Sequence, residues 1–178
     1  TLWYVYVILT MLERPECTGA RAWPRKDVRR WQGVWDLAIQ YLSLKVKRDH
    51  SSSHIQRNME SPSKACLMAF HPHGIIPFTA GLMWLHRDWP TLFPGVEPIF
   101  LTDGFIHSMP LTKDLVQWLG CREVTRQQVD GTLAKSSNPE TIIIVPGGQR
   151  EIASTRSFSN VLKVYNGHKG FIKYVLKH

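Results

Sequence analysis

Residues 141–148 read TIIIVPGG: three isoleucines and a valine in unbroken succession, closed by Pro146, Gly147 and Gly148. Apolar side chains on both faces suit a strand covered on both sides, as in the centre of a parallel sheet flanked by helices. The proline and two glycines then release the chain into a tight turn. Upstream and downstream, short apolar runs alternate with helical or turn-rich stretches: ACLMAF (65–70), FTAGLMWLHRDW (78–89), VEPIFLT (96–102), DLVQWLG (114–120) and HKGFIKYVLKH (168–178). Strands alternating with helices predict an α/β domain over residues 65–178. In the last run, Phe171, Ile172, Val175 and Leu176 have helical spacing. Met83 and Leu85 read as core.

The remainder divides into three. Residues 1–12, TLWYVYVILTML, are almost wholly apolar, yet a membrane span needs roughly 20 such residues. They read either as part of a transmembrane or interfacial segment or as a surface helix anchored by Trp3, Tyr4 and Tyr6. Residues 13–48 are basic and interleave arginines with Trp23, Trp31 and Trp35, then fall into an apolar pattern at Val34, Leu37, Ala38 and Tyr41. That pattern predicts an amphipathic, membrane-proximal helix, with an ordinary surface helix as the plainer reading. Residues 49–64 are polar and serine-rich and read as a linker. Both ends look cut: the first residue is Thr1, and the last helical pattern runs uncapped to His178.

The chain has 178 residues, 43% of them apolar, enough for one ordinary core. Lysine and arginine outnumber aspartate and glutamate by 22 to 14, a net charge of +8 that favours a polyanionic neighbour. Nothing resembles an RNP, zinc-finger or helix-turn-helix pattern, so nucleic acid is not the expected partner. The three cysteines, Cys17, Cys66 and Cys121, are widely spaced and suggest neither a disulfide framework nor a cysteine-rich zinc site, in keeping with a reducing, cytosol-facing setting.

The chemistry gathers at FHPHG (70–74), where His71 and His73 flank a proline at the end of an apolar run. Two readings compete. A His-x-His pair on one strand face is how many hydrolases grip zinc, with His107 or Asp103 as a further ligand. Alternatively, one imidazole is a general base held by a carboxylate. Glu151 follows the 141–145 strand closely, where open α/β sheets collect functional groups, and the Gly147-Gly148 turn offers backbone N–H groups to an oxyanion. That combination suits acyl transfer.

The sequence resembles the type-2 diacylglycerol acyltransferase family, which includes monoacylglycerol and wax-alcohol acyltransferases. FHPHGIIPFTAG is similar to its His-Pro-His-Gly signature. LFPGVEPIFLT, LVQWLGCREVTRQQV, IVPGGQRE and HKGF then follow in the order of the family's Phe-Pro-Gly, Gly-x-x-x-x-Ser/Thr-Arg, Gly-Gly-x-x-Glu and Lys-Gly-Phe blocks. The resemblance spans about residues 31 to 178. It departs from the pattern at Tyr41-Leu42-Ser43, where Tyr-Phe-Pro is usual, and at His168, where arginine is usual. Related glycerolipid acyltransferases carry an aspartate where this chain has Phe78, so orientation of the base falls to Glu151.

The resemblance implies a glycerolipid-acyltransferase-like sheet and transfer of a fatty acyl group from acyl-CoA, a co-substrate rather than a resident cofactor, to a lipid hydroxyl, most simply that of diacylglycerol. Within it His73 is the expected base, beside Gly74 where a backbone can approach substrate, and His71 shapes the turn or hydrogen-bonds His73. Gly147 and Gly148 would hold the oxyanion; Arg126, Arg150 and Lys169 would meet CoA phosphates; no metal is required. The implied partners are acyl-CoA, a lipid alcohol and a membrane, with a homo-oligomer left open. The implied location is the endoplasmic reticulum membrane, with its site towards the cytosol, or the lipid-droplet surface. The non-catalytic alternative is a membrane-surface binding module built on the tryptophans and arginines.

Overall fold

A computed structural model of the chain describes residues 2–48, 65–71, 74, 76–135, 140–156, 161 and 163–178. The expected linker, 49–64, lies outside the described residues. Four strands, β1 (Cys66–Ala69), β2 (Ile99–Thr102), β3 (Arg122–Glu123) and β4 (Thr141–Ile144), form a parallel sheet in the order β1-β4-β2-β3. The TIII segment is therefore internal, paired with β1 through Ala69 and Ile144 and with β2 through Phe100 and Ile143. The α/β expectation holds.

Both faces of β4 are used. Ile142 and Ile144 join Ile99, Leu101, Val129 and Leu133 on one side, whereas Ile143 meets Ala80, Phe100 and Cys121 on the other. Ile142 and Ile143 have no exposed surface, and burying such side chains contributes about 1.5–3 kcal/mol each. The first face is covered by the helix Arg126–Leu133 and, through Phe171 and Tyr174, by the helix Gly170–Lys177. The second is covered by the short helix Phe78–Leu82 and by Val116 of the helix Thr112–Trp118. Phe171 and Tyr174 are the inward pair of the last helix, while Ile172, Val175 and Leu176 are exposed. Apolar spacing located that helix, but contact with the sheet chose its buried side.

In chain order the helices are α1 (Leu2–Glu13), α2 (Pro15–Thr18), α3 (Arg25–Arg30), α4 (Gln32–Tyr41), α5 (Phe78–Leu82), α6 (Trp89–Leu92), α7 (Gly104–Ser108), α8 (Thr112–Trp118), α9 (Arg126–Leu133), α10 (Gly148–Ser154) and α11 (Gly170–Lys177). Within the basic segment, residues 25–41 form two helices broken at Trp31, not one continuous helix, and α2 precedes them. Val28 and Trp35 pack against Trp84, Leu85, Trp89 and Val96, and Ile39 is the buried residue of α4; Val34, Leu37 and Tyr41 point outward. Leu85 is fully buried and Met83 packs on the core, as expected of both.

Two arginines of α3 turn inward. Arg25 lies 4.3 Å from the Trp84 ring and donates to the carbonyls of Leu119 and Pro98, and Arg29 donates to the Trp84 carbonyl. α1 is tied down at Tyr6, which donates to Asp114 at 2.6 Å and lies under Lys113. Its Tyr4, Val5, Ile8 and Leu12 are exposed. Among the described residues no helix is long and apolar enough to cross a membrane.

The edge strand β3 is two charged residues long, which is why no apolar run announced it. Arg122 fixes it by a two-pronged contact with Glu140 at 3.2 Å on each prong, joined by Lys135 at 2.8 Å. Partial burial raises the Glu140 pKa, but the hydrogen bonds from Arg122 and Lys135 outweigh it, and the net value lies below 4.5. A carboxyl depressed by folding stabilises above its unfolded pKa and loses that contribution as pH falls through the folded value. Glu140→Gln is therefore expected to destabilise the chain more at neutral pH than at acid pH below the ordinary carboxylate range. Urea unfolding at the two pH values checks this.

Candidate functional site

Neighbouring parallel strands lie about 4.8 Å apart, so the ends of β1 and β4 emerge side by side. β1 hands the chain to His71, and β4 hands it to Gly147, Gly148 and α10, whose first turn carries Glu151. Helical side chains lean towards the N-terminus, so the Glu151 carboxyl folds back over the turn. A Cβ on Gly147 would stand 1.8 Å from the Glu151 carboxyl carbon, so the missing side chain is the seat of that carboxyl. Gly148 is needed for another reason: its φ of 49° is a left-handed conformation, and nothing lies within 4 Å of a Cβ there. Gly74 is similar, with φ 64° and open space.

Glu151 is completely buried, and its Oε1 stands 3.2 Å from Nδ1 of His71, whose side chain is 28% exposed. The same oxygen accepts the backbone N–H of Tyr165 at 2.8 Å. A carboxylate that accepts here requires the proton on Nδ1, which leaves the Nε2 lone pair as the basic position. Burial, a held tautomer and partial exposure are what a general base needs.

The expected site residues divide accordingly. His71, Glu151 and Gly147 meet. His73, the expected base, lies outside the described residues. The Gly148 N–H donates to the Val145 carbonyl at 3.2 Å and is engaged within the turn. Arg150 is exposed beside the site, its guanidinium 4.9 Å from the Tyr165 ring, and exposed Lys169 follows His168. Exposed Arg126 opens α9 after the edge strand β3, with β2 between that strand and β4, about 10 Å away across the sheet.

The other metal candidates have separate tasks. His107 shares a 2.8 Å hydrogen bond with Thr102, and burial holds its imidazole below the usual value. Asp103 caps α7 by accepting from the Phe105 N–H at 2.9 Å. Among the described residues no three His, Cys, Asp or Glu side chains converge as a metal would require. Burial also raises the Cys66 thiol and pushes Cys121 up to about 12, so both are protonated and unreactive at neutral pH.

The profile of the diacylglycerol acyltransferase family matches residues 1–178, the whole chain. The chain belongs to the diacylglycerol acyltransferase family. It is 28% identical over 153 residues to diacylglycerol O-acyltransferase 2 of Bos taurus, covering 85% of this chain and 40% of that protein. The Homo sapiens protein of the same name is 28% identical over 153 residues, covering 85% of this chain and 37% of its own length. Acyl-CoA wax alcohol acyltransferase 1 of Mus musculus is 24% identical over 181 residues, covering 100% of this chain and 50% of that protein. The chain thus spans half or less of the length of these relatives. No solved structure matches it.

Sequence reasoning missed Tyr165 and noted His168 only as a departure from the family pattern. His168 Nδ1 donates to the Pro146 carbonyl at 2.9 Å, and its ring meets Tyr165 edge-on at 4.8 Å. Neither periodicity nor motif joins Tyr165 to Glu151, fourteen positions away.

Gly147 and Gly148 are expected to respond differently to alanine. Gly148→Ala forces an L-residue to positive φ, costing about 1 kcal/mol while leaving the carboxyl seat intact. Gly147→Ala fills the seat and expels a buried carboxyl from its donors, costing about 1–3 kcal/mol. Chemical denaturation measures both costs. Carbethoxylation of His71, followed by mass spectrometry, is expected to accelerate in Gly147→Ala alone.

Proposed function

We propose that this chain carries the base of an O-acyltransferase that moves a fatty acyl group from acyl-CoA to a lipid hydroxyl. The observation that carries the reading is the completely buried Glu151 carboxylate on Nδ1 of a partly exposed strand-end histidine, in a chain of this family. Glu151 keeps the orienting role expected of it, and the 3.2 Å approach supports His71 as the imidazole it orients. His71 Nε2 takes the acceptor's hydroxyl proton as the oxygen attacks the thioester carbonyl. The tetrahedral intermediate collapses with release of the CoA thiolate, which takes up the proton from His71. The oxyanion role belongs to backbone N–H groups at the Gly74 and Gly147 turns. Arg150 and Lys169, both exposed beside the site, are proposed for the CoA phosphates, and Arg126 for a more distant anionic group of the same molecule.

Diacylglycerol is the acceptor supported by the names of the relatives, and a long-chain alcohol is the competing one. Substrates of that kind bring the chain to a membrane surface. The exposed Tyr4, Val5, Ile8 and Leu12 of α1 and the half-wet Trp23 and Trp31 support contact there. The endoplasmic reticulum membrane, with the site on the cytosolic side, and lipid droplets are the proposed locations.

The test is acyl transfer from labelled acyl-CoA to diacylglycerol, monoacylglycerol and long-chain alcohols in microsomes containing the chain. His71→Ala and Glu151→Gln are expected to lower turnover by ~10²–10⁴-fold at equal expression. His73→Ala is assayed beside them. Full loss in that variant with activity retained in His71→Ala transfers the base to His73. Activity retained in all three removes the reading.

A further inference from the structure

We infer that Tyr165 is a positioning residue: its backbone N–H, held in place by its ring, fixes Glu151 and through it the tautomer and direction of His71. The inference rests on the acyl-transfer reading for its kinetic consequence, though not for its structural one.

A completely buried carboxylate needs donors, and among the described residues Oε1 meets Nδ1 of His71 at 3.2 Å and the Tyr165 N–H at 2.8 Å. The second comes from a segment without regular secondary structure, in which no helix or strand holds that N–H in direction. The ring supplies what the backbone lacks. It lies under the Arg150 guanidinium at 4.9 Å, and Arg150 is the residue next to Glu151 on α10. Its other contact is the edge-on His168 ring at 4.8 Å, and His168 is itself bonded to the Pro146 carbonyl at the root of the Gly147 turn. The phenol end rests over Gly167, where a Cβ would stand 2.2 Å from the hydroxyl oxygen.

The segment is thus a strap pinned at both ends to the turn that seats the carboxylate. Without the ring, the contacts to Arg150 and His168 go and the Tyr165 N–H is free to swing to solvent. Oε1 then loses one of these two contacts, and its hold on the direction of the His71 Nδ1 proton weakens. His71 loses the constraint that keeps its proton on Nδ1. Chemistry slows because Tyr165 acts on the base; loss of the ring also releases the Arg150 guanidinium proposed for the CoA phosphates, so kcat rather than KM is the diagnostic quantity.

The experiment compares Tyr165→Ala, Tyr165→Phe and Gly167→Ala with the parent chain and with Glu151→Gln. Two readouts are used: kcat and KM for acyl-CoA in the microsomal assay, and the tautomer of neutral His71 from nitrogen-15 NMR of the histidine-labelled chain in detergent. Expected are an Nδ1–H tautomer in the parent and a shift towards Nε2–H in Tyr165→Ala, in Gly167→Ala and in Glu151→Gln. With it goes a roughly 10-fold or greater loss of kcat. Tyr165→Phe, which keeps the ring, restores both. Gly167→Ala displaces the ring without removing it and serves where Tyr165→Ala does not fold. A folded Tyr165→Ala chain with the parent's tautomer and kcat overturns the inference, as does an Nε2–H tautomer in the parent. A rise in KM with kcat unchanged also overturns it, by placing Tyr165 in substrate binding. If the parent transfers no acyl group, the proposed function fails, and the tautomer arm still decides the role of Tyr165.

Discussion

Burying a carboxylate away from water costs several kcal/mol unless donors meet it, and around Glu151 the chain is arranged to meet that cost. One strand end provides an imidazole, an irregular segment provides a peptide N–H, and a missing side chain at Gly147 provides the room. Each contribution comes from a different part of the sequence. Their meeting ties β1, β4 and the approach to α11 together at one edge of the sheet. The same contact that satisfies the carboxylate leaves Nε2 of His71 for the proton transfer proposed for it.

The parallel sheet makes that meeting achievable. Because β1 and β4 run in the same direction in adjacent positions, both discharge their loops at the same edge, and the apolar residues on both faces of β4 lock the pairing. Shifting β4 by one residue would exchange Ile143 with its neighbours between the two cores and carry Gly147 and Glu151 away from His71. Core packing and site geometry are in this sense one constraint. The end of β2 presents a second histidine, His107, but there burial lowers the imidazole pKa, the Thr102 hydroxyl shares a hydrogen bond with it, and 8% exposure suits a structural part.

Towards the N-terminus the chemistry of arginine was divided in a way that composition does not reveal. Arg25 and Arg29 face Trp84 and donate to the carbonyls of Leu119, Pro98 and Trp84, whereas Val34, Leu37 and Tyr41 of the next helix face outward. A guanidinium stacked on indole satisfies both its charge and its donors in a half-buried place. The exposed side chains of α1, with Trp23 and Trp31, are the ones proposed to contact lipid.

The class of fold was legible in the chain itself, because TIIIV has no polar face and such a strand must be covered on both sides. The pairing of a strand-end histidine with Glu151 was legible too, since open α/β sheets collect functional groups at strand ends, and the ordered blocks carried the family. Three things needed the tertiary structure. β3 is two charged residues whose strand state depends on the neighbour it pairs with. Which flank of α4 and α11 is buried depends on the surface each meets, not on its own periodicity. The identity of the imidazole on Glu151, and the Tyr165 N–H beside it, depend on how loops close in space. A hydrogen bond between residues fourteen or eighty positions apart leaves no pattern along the chain.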